Sequence, residues 1–273
     1  MQDTQCIAFL QWALPKLHMR WAGFRKIRRH VCKRVTRRLS SLGLLDVSSY
    51  QAYLETHPEE WTQLDELCWI PISRFYRDRA IFDYLAEKTL PSVAEAALAK
   101  GSACIRAWSA GCCAGEEPYT LMLLWRFCLQ PRFPDLELEI LATDIDRNQL
   151  DRAATACYPF GNLKDLPAAW IEHAFEERER RFYLRPEYRT GVRFRKQDIR
   201  LELPDGPFDI VLCRNLVFTY FEDALQAEIA GSFQERVVPG GVLVLGRHEA
   251  LPAGTVGFQE IERNLHVYRS HSR

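Results

Sequence analysis

The sequence lacks several features that would assign a chain to a functional class at once. Its 36 Lys and Arg residues balance 36 Asp and Glu residues, so no net positive field favours nucleic acid. The N-terminal stretch MQDTQCIAFLQWALPKL has no basic region before its apolar run, so we expect no signal peptide. No apolar run approaches the length of a membrane span, so we expect no membrane insertion.

The chain has nine cysteines but no C-x-x-C pair. Cys112 and Cys113 are adjacent, a spacing poorly suited to two ligands of one tetrahedral zinc ion, so we predict no metal site. We interpret both as small residues of a tight turn and the core. This cysteine usage favours a reducing compartment, and we expect the protein to be cytoplasmic.

The first seventy residues predict a small helical domain, residues 1–70. From Arg20 to Arg38 basic residues are dense, and the apolar residues recur at steps of three and four, which predicts one amphipathic helix with a cationic face. Those apolar residues are Trp21, Phe24, Ile27, Val31, Val35 and Leu39. Such a face suits an acidic partner; a solvated face and a nucleic-acid patch are the alternatives.

Beyond residue 70, strand and helix patterns alternate, which predicts a parallel sheet with helices on both faces. The predicted strands begin at 104, 136, 208 and 237, and helices are predicted over 116–129 and from 147. Between about 158 and 197, the alternating runs FYLRPEY and GVRFRK favour a small inserted β hairpin. A solvated helix followed by a single strand fits this stretch equally well.

The stretch WSAGCCAGEEPYTLML, residues 108–123, predicts a strand, a glycine turn and a helix start, but without the G-x-G-x-x-G spacing of a dinucleotide site. Glu116 and Glu117 would repel a phosphate at the helix start and suit a cationic ligand. Asp144 ends the next strand, where a carboxylate can accept hydrogen bonds from a ribose diol. Together these residues favour S-adenosylmethionine. Individually, the glutamates fit the helix dipole and Asp144 fits a helix cap.

Five segments in order resemble the CheR family, the chemotaxis receptor methyltransferases that use S-adenosylmethionine to esterify glutamate side chains. They are ISRFYRD, WSAGCCAGEEPYTL, ATDIDRNQLDRAATACY, FDIVLCRNLVFTYF and PGGVLVLGRHE. The resemblance implies an α/β fold: a Rossmann-like class I methyltransferase domain over 71–273, with a small all-helical N-terminal domain. It also implies the product S-adenosyl-L-homocysteine, an acidic helix of a chemoreceptor as partner for the basic N-terminal helix, and a final antiparallel strand near LHVYRS. We expect a monomer.

The resemblance assigns a role to nine positions. It implies catalysis for Arg77 and Tyr220, with Arg77 also near the cofactor. The implied cofactor contacts are Ser73 near the methyl group, Glu117 at the methionine part, Asp144 at the ribose, Asp198 and Ile199 beside the adenine, and Asn215 and Leu216 on the methionine side.

Some residues depart from the family pattern. Pro71 and Asp198 replace asparagines, and LGRHE places Arg247 near the expected mouth of the site. EERER replaces a Gly-rich loop, so we do not expect tethering to a receptor peptide. The alternatives in function are a CheR-like enzyme that modifies another protein, a nucleic acid or a small molecule, and a cofactor-binding regulator without turnover.

Overall fold

The computed structural model describes residues 2–271 of the 273-residue chain. The N-terminal helices are α1 (Asp3–Ala13), α2 (Trp21–Phe24), α3 (Arg28–Ser41), α4 (Val47–Thr56) and α5 (Glu60–Cys68). The later helices are α6 (Arg79–Tyr84), α7 (Leu90–Ala99), α8 (Glu116–Leu124), α9 (Arg147–Thr155), α10 (Phe160–Leu163), α11 (Ala168–Ala174), α12 (Val217–Tyr220) and α13 (Asp223–Arg236). π-helical turns continue α6 to Thr89 and α8 to Leu129.

The strands alternate with these later helices. They are β1 (Cys104–Ala110), β2 (Glu137–Asp144), β3 (Cys157–Pro159), β4 (Phe175–Arg178), β5 (Arg181–Leu184), β6 (Val192–Lys196), β7 (Phe208–Cys213), β8 (Val237–Leu245), β9 (Phe258–Glu262) and β10 (Val267–Ser270).

Seven strands form the main sheet in the order β6-β2-β1-β7-β8-β10-β9. The first five run parallel, and β10 runs antiparallel to both β8 and β9. The Rossmann-like sheet and the antiparallel final strand predicted from the sequence are therefore confirmed. Strand β9 was not anticipated, because PAGTVGFQEIE carries only a weak alternation of apolar residues.

Alternating residues of the parallel strands enter two separate cores, as the strand period of two requires. In β7, Ile210 and Leu212 pack with α7 and α8, whereas Val211 and Cys213 face the opposite side. On that opposite side, α13 and the N-terminal helices share one continuous core with the sheet. The N-terminal helices are thus packed directly on one sheet face. The division of the chain at residue 70 stays a prediction.

The single amphipathic helix predicted from Arg20 to Arg38 is wrong in one respect: a turn over residues 25–27 separates α2 from α3. The apolar stripe itself is present, since Phe24, Val31, Val35 and Leu39 are buried. Gly23, within α2, lies with its backbone against α12. A Cβ at Gly23 would be 2.3 Å from the carbonyl oxygen of Thr219.

The inserted hairpin exists, but its strands differ from those predicted. A small antiparallel sheet has the order β3-β5-β4, and the hairpin joins β4 to β5. GVRFRK instead forms β6, the parallel edge strand of the main sheet beside β2. Alternation identified both strands correctly, but it does not specify the partner of either one.

No helix among residues 2–271 is both long and apolar enough to cross a membrane. Cys6 of α1 and Cys32 of α3 form a disulfide, a pair that their separation of 26 residues did not indicate.

Candidate active site

A deep cavity lies beyond the carboxyl ends of β6, β2, β1 and β7, where open parallel sheets bind ligands. All nine residues singled out in the sequence line this cavity: Ser73, Arg77, Glu117, Asp144, Asp198, Ile199, Asn215, Leu216 and Tyr220. Residues of the N-terminal helices complete the wall, among them Phe24, Ile27 and Trp69. The structure therefore brings the predicted positions together, while the role of each stays a prediction.

The glycine turn after β1 is not a phosphate cradle. The amides of Gly111 and Cys112 donate to the carbonyl oxygen of Thr143 at 2.8 and 3.0 Å, and the amide of Gly115 donates to Cys112. The Cys113 amide donates to Asp144 Oδ2 at 2.7 Å. Amides that would otherwise bind a pyrophosphate are thus already occupied within the turn. This geometry agrees with a ligand that carries no phosphate.

Asp144 is held by the backbone rather than by a cation. Its Oδ2 accepts from Cys113 and its Oδ1 accepts from the amide of Asp146 at 2.9 Å. Burial raises the pKa of the carboxyl, and these backbone bonds lower it in part. Each oxygen keeps a lone pair for a further donor, which suits the two hydroxyls of a ribose. The helix-cap alternative belongs to Asp146 instead, which accepts from the Asn148 amide at 2.9 Å.

The two glutamates that open α8 have different surroundings. Glu116 is buried, accepts from the Asn162 amide group at 2.7 Å, and has a pKa raised by burial. Glu117 lines the cavity and accepts from the Ser109 hydroxyl at 2.8 Å. The expectation that both charges face the ligand is therefore wrong, because only Glu117 does so.

Arg214 is a buried cation to which the sequence analysis gave no role. Its guanidinium, with 2% of the side chain exposed, pairs with Asp78 at 2.8 Å and with Glu117 at 3.1 Å. It also donates to the Arg77 carbonyl oxygen at 2.8 Å. Two carboxylates around one cation leave a net negative charge at this end of the cavity, which suits an ammonium or a sulfonium. The signal in the sequence was an arginine directly after a strand that is almost entirely buried.

Glu249, a residue with no predicted role, organises the loop that follows β7. Its carboxylate accepts from the amides of Asn215 (2.6 Å), Leu216 (3.1 Å) and Gly246 (2.8 Å), and from the Thr219 hydroxyl (2.6 Å). Burial raises the pKa of this carboxyl, and its hydrogen bonds oppose that shift. The loop carries two predicted site residues, Asn215 and Leu216, and leads into α12, which carries Tyr220. Arg247, expected at the mouth of the site, is exposed and does not belong to the cavity wall.

Arg77 and Tyr220 lie close to each other in the cavity. Arg77 Nη1 donates to the Ile72 carbonyl oxygen at 2.6 Å, and Asp78 pairs with Arg214 rather than with Arg77. Burial raises the pKa of Tyr220, and the nearby Arg77 guanidinium lowers it in part. Tyr220 also packs on Phe24 of α2, with ring centroids 5.1 Å apart. A guanidinium and a phenol therefore face the same part of the cavity.

Comparisons with known proteins agree with this geometry. The family model described as CheR methyltransferase, SAM binding domain, matches residues 72–267. A chemotaxis protein methyltransferase of Listeria monocytogenes is 34% identical over 191 residues, which cover 69% of this chain and 70% of that protein. The chemotaxis protein methyltransferase of Escherichia coli is 30% identical over 244 residues, covering 86% of this chain and 78% of that protein.

Another relative is much longer than this chain. An uncharacterized 104.1 kDa protein of Rhodobacter capsulatus is 35% identical over 224 residues, which cover 81% of this chain but 23% of that protein. The match to the family model spans the glycine turn, Asp144 and the Asn215 loop. The chain belongs to the CheR methyltransferase family, and it is a methyltransferase with S-adenosylmethionine as its cofactor.

Proposed function

We propose that this protein transfers a methyl group to glutamate carboxylates of a chemoreceptor-like protein and forms methyl esters. The observation that carries the proposal is that Arg77 and Tyr220 both line the cavity that holds the predicted cofactor residues. Supporting it are the two relatives described above, each of which is named a chemotaxis protein methyltransferase. We further propose that it acts in the cytoplasm as a monomer.

The chemistry needs positioning more than proton transfer. When bound, S-adenosylmethionine supplies an electrophilic methyl group on a sulfonium. A glutamate acceptor with a pKa of about 4.3 is already a carboxylate at neutral pH, so no general base is required. Holding that carboxylate in line with the methyl group lowers the activation free energy by on the order of 7 kcal/mol or more.

We assign the positioning to Arg77 and Tyr220. The guanidinium of Arg77 pairs with the incoming carboxylate, and the Tyr220 hydroxyl donates a hydrogen bond to one of its oxygens. Arg77 is already anchored to the Ile72 carbonyl, which leaves it fewer free donors and limits an over-tight grip on the ground state. Arg214 and Glu117 hold the opposite, amino-acid end of the cofactor.

The acceptor surface we propose is the cationic face of α2 and α3. It consists of five exposed basic residues, Arg25, Lys26, Arg29, Lys33 and Arg37. No ion pair joins any of them to residues 2–271, whereas Arg28 pairs with Asp3 and Arg38 pairs with Glu60. Phe24 and Ile27, which line the cavity, belong to the same stretch of chain as this face, and we propose that an acidic helix docked on the face presents its glutamates to the cavity.

The experiment compares methyl transfer to a chemoreceptor cytoplasmic fragment by wild type and by the double variant K33E/R37E. Reversing two exposed charges should raise the KM for the fragment several-fold at low salt, leave the KM for S-adenosylmethionine unchanged, and lose its effect at high salt. The control is R263E, which reverses an exposed charge on the far edge of the sheet. Equal KM values for all three proteins would refute the docking face.

A second comparison tests the catalytic assignment. R77M should lower kcat for methyl transfer to the fragment, whereas R79M should not, because Arg79 is exposed and pairs only loosely with Asp83 at 3.7 Å. If the fragment gains no alkali-labile methyl group even from wild type, the proposed acceptor is wrong.

A further inference from the structure

The order of the strand ends shows which part of the cavity receives the adenine. β6, β2, β1 and β7 lie side by side, with Asp144 at the end of β2. The β7 side carries the charged group of Arg214, Glu117 and Asp78, which suits the amino-acid part of the cofactor. A ribose held at Asp144 therefore directs its base toward the end of β6, where Asp198 and Ile199 line the cavity.

The wall at this end includes Trp69, which comes from the segment after α5 and not from the sheet. Its indole is half-buried, and Nε1 donates to Asp65 Oδ2 at 3.2 Å. Its carbonyl oxygen accepts from Arg34 of α3. The ring is thus fixed by its own polar atom and by its backbone, and it is the one tryptophan that lines the cavity among residues 2–271.

An ion-pair network joins Trp69 to the β6 side. Arg200 donates to both oxygens of Asp65 at 2.7 Å, in a bidentate pair that links positions 135 residues apart. The same guanidinium donates to Asp198 at 2.8 and 3.0 Å. All three side chains are largely buried, with 12–18% exposed. Because the Arg200 guanidinium is hydrogen-bonded to both carboxylates, and Asp65 also accepts from Trp69, the network holds Trp69 and Asp198 in fixed relative positions.

We propose that Trp69 is the stacking surface for the adenine, and that Asp65 and Arg200 are positioning residues that hold it opposite Asp198 and Ile199. The flat face of an adenine gains from stacking on an aromatic ring, and a ring already fixed loses little entropy on binding. The N-terminal helices then contribute directly to cofactor affinity and not only to recognition of the acceptor. Asp198, saturated by Arg200, shapes the wall and is not the main hydrogen-bond partner of the base.

The first test measures binding of S-adenosyl-L-homocysteine to W69A and W69F by calorimetry. Loss of one base–aromatic stack corresponds to a weakening of about fivefold to 150-fold in W69A. W69F keeps a flat ring but loses the bond from Nε1 to Asp65, so it should weaken binding less than W69A does. W69A should weaken binding of 5′-methylthioadenosine, which lacks the amino-acid part, by the same factor. Wild-type affinity of W69A for either ligand would overturn the assignment.

Fluorescence keeps the proposal testable even if W69A folds poorly. In wild type the ligand should change tryptophan emission by contact with Trp69, and W69F should lose most of that change while still binding. An undiminished emission change in W69F would show that another tryptophan reports binding, against the proposal.

The positioning role is tested with D65N, which disturbs the bidentate pair with Arg200 but removes no aromatic side chain. D65N should weaken S-adenosyl-L-homocysteine binding severalfold and raise the KM for S-adenosylmethionine more than it lowers kcat. The matched control is E60Q, which removes a buried carboxylate of the same helix, paired with Arg38 and remote from the cavity. If E60Q weakens binding as much as D65N, the effect is general destabilisation of the N-terminal helices and the proposal fails.

Discussion

Replacing Glu249 by glutamine tests how the loop after β7 is held. The carboxylate accepts four hydrogen bonds, three from backbone amides and one from the Thr219 hydroxyl. Glutamine keeps one acceptor oxygen and turns the other into an NH2 donor. At best its carbonyl serves Asn215 and Gly246, and the NH2 group donates to Thr219. The amide of Leu216 then faces a donor and stays unsatisfied.

The magnitude follows from these contacts. An unsatisfied buried donor costs about 1–3 kcal/mol, and hydrogen bonds to a charged group contribute about 1.5–3 kcal/mol each. Burying the charged carboxylate has its own cost, which the raised pKa of Glu249 reflects and which glutamine avoids. We therefore expect a net loss of about 2–4 kcal/mol in the free energy of unfolding. Because the loop carries Asn215 and Leu216 and leads into α12 with Tyr220, cofactor affinity and kcat should fall together.

The assay is urea unfolding of E249Q and wild type, together with S-adenosyl-L-homocysteine binding at a temperature where both are folded. E228Q, an exposed glutamate of α13, is the control and should match wild type. If E249Q unfolds at the wild-type urea concentration and binds the ligand with wild-type affinity, the carboxylate does not organise the loop.

Two further predictions concern the N-terminal helices. G23A should unfold at a lower temperature than wild type and lose activity, because its Cβ would clash with the Thr219 carbonyl oxygen. G231A should instead be about 0.5–1 kcal/mol more stable than wild type, because Gly231 lies within α13 with open space around it. The Arg38 guanidinium lowers the pKa of Glu60, so this carboxylate stabilises the fold above the unfolded pKa of about 4.3. That contribution is lost as pH falls through the lowered pKa. E60Q should therefore be about 1–3 kcal/mol less stable than wild type at pH 7, with a smaller gap at pH 3. Equal stabilities of G23A and G231A, or a pH-independent gap for E60Q, would contradict these two accounts.

Local patterns in the sequence predict the sheet well, because buried parallel strands are short apolar runs that end in turns. The strand ends at Gly111, Asp144 and Asn215 follow from such runs, and they alone bring most of the predicted positions into one cavity. The antiparallel final strand follows from the family resemblance rather than from the pattern.

Pairing between strands or charged residues that are far apart in the sequence cannot be predicted from local patterns. Alternation marks GVRFRK as a strand, but only the folded chain shows that it pairs with β2 and not with FYLRPEY. Likewise, Asp65 and Arg200 are ordinary charged residues in isolation, and their bidentate pair appears only when the folded chain brings α5 to the turn that follows β6. Trp69, Arg214 and Glu249 were missed for the same reason.

The negative charge predicted from Glu116 and Glu117 is present at one end of the cavity, but the two residues do not supply it equally. Two adjacent glutamates suggested two charges at the ligand, but successive residues of a helix point in different directions, so Glu116 turns toward Asn162. Glu117 shares its charge with Arg214, which no local pattern links to it. The net negative charge at this end nevertheless agrees with a cationic ligand group.

The measurement that tests the central claim most directly is transfer of label from methyl-tritiated S-adenosylmethionine to protein in an extract of the source cell, followed by mild alkali. The account predicts a labelled protein band whose tritium is released as volatile methanol, the behaviour of a carboxyl methyl ester. Label that stays on the protein after alkali would place the methyl group on nitrogen or another stable acceptor and would contradict the account.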